Sequence, residues 1–156
     1  MANNLVILAK ERATQHFVDV VIPADSVGGG FLTLGTRNSN GTYASTAPVA
    51  VTDLGMVMLV PVCLSYGAEV LEKDYVLSTG AIERATFVEK GDEIDIPVEN
   101  ITATDTVAVG AYLVPDAGAV KPECLDTLGG TEVIVLKIEK LFTKAGQSYA
   151  KALVVK

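Results

Sequence analysis

The chain contains no tryptophan, a single histidine and two cysteines, and aromatic residues make up only 6% of it. With so few rings, a stacking platform for single-stranded nucleic acid or for sugars is not expected. One histidine cannot build a multi-histidine metal site, and a catalytic triad would need His16 beside a nucleophile and an orienting acid. His16 instead opens an alternating apolar stretch with Asp19 close by, and reads as structural or exposed. Cys63 lies in an apolar run and Cys124 in a Pro-Glu-Cys turn, neither at metal-ligand spacing, so both are expected to remain thiols.

Basic charge is also scarce. Twelve Lys and Arg face nineteen Asp and Glu, for a net charge of −7, and there is no basic run to collect phosphates, so nucleic acid is not an expected partner. Long hydrophobic runs are missing too: the apolar stretch at 56–64 is about half of what a membrane span requires, and Pro61 interrupts it. The run at 5–9 has no basic side chain ahead of it and does not read as a signal peptide, which makes cytoplasmic synthesis the expectation. Two glycosylation sequons, at Asn40 and Asn100, are set aside on the same ground.

What the chain has is apolar and β-branched residues, 49% hydrophobic over 156 positions, enough for one domain burying roughly 70% of the surface its unfolded form exposes. Gly, Pro, Asn and Asp recur every eight to twelve residues, which predicts an all-β fold, a compact β-barrel or β-sandwich of short antiparallel strands. Strands are predicted at 16–22 (HFVDVVI), 31–36 (FLTLGT), 56–64 (MVMLVPVCL, buried on both faces), 75–78, 85–89, 93–96, 106–114, 132–142 and 147–155. Gly28, Gly29 and Gly30 read as a flexible joint, Asn40-Gly41 as a tight turn and 144–146 as the last hairpin. In the penultimate strand Ile134, Leu136, Ile138 and Leu141 define the buried face. The segment 5–14 (LVILAKERAT) forms either a short helix capped by Asn3 or Asn4, or an extended arm spanning 1–15.

No motif for chemistry emerges. Neither GxxxxGK[ST] nor GxGxxG occurs, the glycine run leads into strand formers instead of a helix, and Ser26, Ser65 and Ser78 lack a GxSxG setting. In 87–118 the acids Asp92, Glu93 and Asp95 do not follow calcium-loop spacing. Glu93 and Asp95 alternate with Ile94 and Ile96, so the carboxylates are expected on the solvent face. No catalytic, cofactor or metal site is expected, and the chain does not read as an enzyme.

Three stretches, ERATFVEKGDEIDIP, VAVGAYLVPDAGAV and VIVLKIEKLFTKAGQSYAKALVV, together resemble the small β-barrel decoration proteins of tailed-bacteriophage heads. The resemblance covers about half the chain and rests on the Gly91-Asp92 turn, the run Val109-Gly110-Ala111-Tyr112-Leu113, the Asp116-Ala117-Gly118 turn and the closing strand pair. The arm, MANNLVILAKERATQHF, differs from the Pro- and Ala-rich arms of that family. The resemblance implies a cement protein on the capsid exterior, with the major capsid protein as partner and a homo-oligomer, a trimer suiting a threefold site. Leu5, Val6, Ile7 and Leu8 are the candidate partner-contact arm, able to add a strand to an exposed sheet edge, or else part of the chain's own core. Two other readings stay open: a tail-tube or head-completion subunit, and a small β-barrel ligand-binding module or enzyme.

Overall fold

The computed structural model describes residues 17–61 and 77–156, together with the backbone of Ile7–Leu8. It is nearly all β, as two units, each with its own core, that meet at shared strands. The strands are β1 (Ile7–Leu8), β2 (Phe17–Val21), β3 (Phe31–Arg37), β4 (Tyr43–Thr46), β5 (Met56–Leu59), β6 (Ile82–Thr86), β7 (Glu93–Pro97), β8 (Tyr112–Val114), β9 (Glu123–Leu125), β10 (Leu136–Lys144) and β11 (Gln147–Val154), with one 3-10 turn at Val98–Asn100. Strands β2-β4-β3-β5-β6 close into a barrel, and the rest form a six-stranded sheet ordered β1-β7-β11-β10-β8-β9. All pairings are antiparallel except the short β2–β4 contact, where Val20 faces Tyr43 in parallel and closes the barrel.

The β3–β5 ladder explains how the two units hold together. Side chains alternate across a strand, and here both faces are apolar. Leu32, Val57 and Leu59 point into the barrel with Val20, Ile22 and Ala85, while Phe31 and Met58 turn the other way to join Ile94, Ile96, Leu113, Leu136, Ile138, Ala150 and Ala152 of the sheet. The expectation of a strand buried on both faces holds for Met56–Leu59, all four residues of which are buried. The strand stops there, short of Pro61, and residues 62–64 lie outside the described set.

Gly28, Gly29 and Gly30 are not a flexible joint. All three are buried, Gly29 and Gly30 tied to β5 of the barrel and Gly28 tied across the seam to Asn100. Gly29 N–H donates to Leu59 O at 2.8 Å, Leu59 N–H to Gly30 O at 2.8 Å, and Asn100 Nδ2 to Gly28 O at 3.0 Å. A Cβ on Gly29 would sit 2.8 Å from Ile96 Cγ2, at a φ of +81°, and one on Gly30 would meet Val120 Cγ1 at 2.5 Å and Val120 O at 2.8 Å. Glycine is needed here for close approach, not for freedom.

Other predicted strands shift. The 85–89 strand is Ile82–Thr86. Leu77 and Ser78 are not in a strand, and Tyr75 lies outside the described residues. Only Tyr112–Val114 of the 106–114 run is strand, because Val109-Gly110 form a turn with Gly110 at φ +95°. The 132–142 strand begins at Leu136 and continues to Lys144. Cys124, placed in a turn by the sequence, is buried in β9, a strand not expected at all, and β4 was likewise unexpected. The closing hairpin turns at Ala145 and Gly146, with φ of +51° and +79°, the left-handed pair that suits a two-residue turn between twisted strands.

The seam gives a stability test. Gly30→Ala must displace the Val120 backbone, and overpacking of this kind costs about 1–3 kcal/mol. A urea titration should show the loss, and an unchanged midpoint would mean that the seam accommodates a Cβ without strain.

Candidate interaction surface

The acidic stretch separates into distinct jobs once it is folded. Asp92 Oδ2 accepts from the Glu89 N–H at 2.8 Å, closing the turn ahead of β7. Within β7, Ile94 and Ile96 point into the core as expected. Asp95 does not stand on the solvent face: it is 9% exposed. β7 is an interior strand, paired with β1 through Ile7 and Leu8 on one side and with β11 on the other. Lys151, opposite Asp95 on β11, places Nζ 3.8 Å from Asp95 Oδ1 and 4.0 Å from Glu93 Oε2. Burial pushes the Asp95 carboxyl above the ordinary carboxylate range, against the pull of Lys151.

Two other acids serve as backbone clamps. Glu132, expected to start a strand, sits in the preceding loop, where Gly129 N–H donates to Oε1 at 2.7 Å and Gly130 N–H to Oε2 at 2.8 Å. Hydrogen bonds from its own backbone N–H and from these two glycines hold its pKa down. Asp53 Oδ2 accepts from Val49 N–H at 2.7 Å and from Thr33 Oγ1 at 3.1 Å, and its pKa is lowered chiefly by the Val49 bond.

That second clamp shapes a loop that carries the two most exposed large apolar side chains among the described residues. The loop between β4 and β5 is fixed at three points: by Asp53, by Gly118 N–H donating to Pro48 O at 2.6 Å, and by Val133 N–H donating to Val51 O at 3.2 Å. On this braced loop Val49 is 79% exposed and Leu54 84% exposed. Single exposed apolar residues are ordinary, but two on a rigid loop give a preordered contact surface. Nothing in the sequence marked this loop, because Asp53 gives no sign of what it bonds.

Of the predicted arm, Ile7 and Leu8 form β1 and lie on the edge of this chain's own β7, Ile7 opposite Asp95 and Leu8 opposite Ile94. Leu5 and Val6 lie outside the described residues, as do His16 and Cys63. Cys124 is fully buried, and burial, followed by the charges of Asp126 and Asp105, pushes its thiol pKa up; thiolate chemistry is disfavoured there. Among the described residues no group of three His, Cys, Asp or Glu could hold a metal ion, and no helix is long and apolar enough to cross a membrane. No protein-family model matches the chain, and no curated protein or solved structure matches it either.

The raised Asp95 pKa fixes the sign of a pH effect. Between the ordinary carboxylate pKa and the raised folded value, the folded state binds more protons than the unfolded one, so the Asp95 contribution to stability falls as pH rises through that window. Asp95→Asn should flatten this limb of the stability–pH curve, measured by urea unfolding from acid to neutral pH. An unchanged slope would mean that Asp95 titrates alike in both states.

Proposed function

We propose that this chain is a virion structural protein, a decoration or cement protein that binds the outer surface of a tailed-phage capsid and stabilises it, with the major capsid protein as its partner. The observation that carries the reading is the braced loop presenting Val49 and Leu54 on an all-β frame. A protein that resists capsid expansion pressure has to hold its contact surface still, and a loop ordered before binding loses little entropy on docking. The resemblance of the Gly91-Asp92 turn, the Tyr112–Val114 strand with its preceding turn and the β10–β11 pair to capsid decoration proteins agrees with this role. Many copies on one shell, each with a modest contact, give durable attachment through multivalency. The protein would be made in the host cytoplasm and reside on the capsid exterior.

The test is quantitative mass spectrometry of density-purified particles from the source, comparing this chain with the main coat protein. A fixed simple ratio is expected; complete absence from particles would end the proposal, and a few copies per particle would point to a tail or connector part. With purified expanded shells, Leu54→Asp is expected to weaken binding by about tenfold or more, the loss of a buried apolar anchor. Asp53→Ala should weaken it less, while speeding hydrogen exchange at the Val49 amide.

A further inference from the structure

The β10–β11 hairpin outgrows the sheet that supports it. On one side β10 pairs with β8 only at Leu136 and Lys137, with two further backbone bonds between Ile138 and Gly110 and Ala111. Among the described residues no strand pairs with that edge of β10 beyond Ile138. On the other side β7 reaches β11 only from Tyr149 to Leu153, so Gln147 and Ser148 have β10 alone. The bulge between Ile138 and Lys140 re-aims the strand at this point, and Leu141, predicted to be buried, is 40% exposed. The ribbon is stiffened by Phe142 stacked on Tyr149, ring centroids 5.5 Å apart. Val98, Leu141, Phe142 and Tyr149, with Thr143 and Ser148, line an open groove of about 300 Å³ beside it.

The same ribbon carries the positive charge of an acidic protein. Residues 136–156 hold five lysines and one glutamate, net +4, whereas residues 1–135 hold seven basic and eighteen acidic residues, net −11. Lys151 is engaged by Asp95 and Glu93. Lys137, Lys140 and Lys144 are exposed and make no ion pair among the described residues.

A matching acidic surface lies at the β9 edge. The Asp126 backbone N–H donates to Asp105 Oδ2 at 2.9 Å, which sets the two residues side by side, and the charges of both act on Cys124. Glu123 lies on the same strand and raises the pKa of Asp116, after burial. The β9 edge is sealed against strand addition, since Cys124 N–H donates to Thr102 O and Asp105 N–H to Cys124 O. Its side chains are what it offers a partner.

We propose that the β10–β11 ribbon docks a second copy of this chain, seating Lys140 and Lys144, which share one face of the ribbon, against the β9 edge of the neighbour around Glu123, Asp126 and Asp105. The lysines decide the geometry. Three exposed lysines against the single Glu139 make β10-to-β10 pairing a meeting of two net-positive edges, the device by which exposed edges avoid self-pairing. The partner surface must therefore be a different and acidic one, which makes the contact head-to-tail. Such a contact either closes into a ring or runs on as a filament. This inference does not rest on the capsid reading.

Sedimentation velocity of the full chain at low salt, across a concentration series, tests it. Association is expected, weakening as salt screens the charges. Lys140→Glu with Lys144→Glu should raise the dissociation constant by about tenfold or more, as should Glu123→Lys with Asp126→Lys. Mixing the two reversed variants should restore assembly, because each then offers what the other lacks. Thermal melts check folding, and Lys140→Gln with Lys144→Gln serves as the milder hairpin variant should the reversal unfold the chain. A chain that stays monomeric at every concentration, association indifferent to the hairpin charges, or a mixture that fails to assemble would each overturn the proposal. Particle mass spectrometry is unaffected by any of these results, so failure here leaves the capsid reading to its own test.

Discussion

Everything in this fold is hung on the β3–β5 ladder and the three buried glycines that precede it. A barrel strand ordinarily has one wet face, but the start of β3 and all of β5 have none: Leu32, Val57 and Leu59 fill the barrel, and Phe31 and Met58 belong to the core of the neighbouring sheet. For both cores to share two strands, the sheet has to come within van der Waals reach of the segment leading into β3, which leaves no room for a Cβ where Gly29 meets Ile96 or Gly30 meets Val120. The two units are thus joined by packing, by the Asn100 side chain on Gly28 O and by backbone bonds from Phe31 to Val120, Gly118 to Pro48 and Val133 to Val51, and weakening the seam exposes apolar surface on both sides at once.

Sequence pattern was most informative where a strand's environment matches its side chains. The unbroken apolar run at Met56–Leu59 announces burial on two faces, and the alternation of Leu136, Lys137 and Ile138 announces one wet face, as found. It failed where the support of a strand runs out: the extra residue at the Ile138/Lys140 bulge sets Leu141 opposite buried Ala150, yet no described strand pairs with that edge of β10 beyond Ile138, and Leu141 is 40% exposed. It failed again at Val109-Gly110, where β-branched and apolar neighbours suggest a strand and a single left-handed glycine makes a turn. Short strands such as Tyr43–Thr46 and Glu123–Leu125 carry too few side chains to show a period. Asp95 misled for a different reason: alternation assigns it to a face correctly, but only the pairing of β7 on both edges tells how little water reaches that face.

The interaction surfaces were less legible than the fold. The prominence of Val49 and Leu54 depends on Asp53 bonding back to Val49 N–H and on bonds from Gly118 and Val133, partners 70 or more positions away in the chain for the last two. Such braces are tertiary facts, invisible in local spacing. The arm was legible as an apolar strand-former, and Ile7–Leu8 spends that property on its own β7.

The charge of the chain makes sense in the same terms. Several of its carboxylates are building material: Asp53, Asp92, Asp105 and Glu132 each accept a backbone N–H, a use that shapes turns and loops in place of chemistry. The exposed lysines of the β10–β11 ribbon make no ion pair among the described residues, although the charge of Lys144 reaches Asp95, and they sit on the least supported part of the sheet. An extended ribbon with charged ends and a stacked Phe142–Tyr149 pair is costly to hold in water for its own sake, since it gains little core packing in return. A structure that keeps its acids tied to the backbone and its lysines outward separates charge along the molecule, and separated charge acts over distance on whatever approaches. The direction of approach is then set before any contact forms: acidic surfaces are drawn to the ribbon, and other ribbons are turned away.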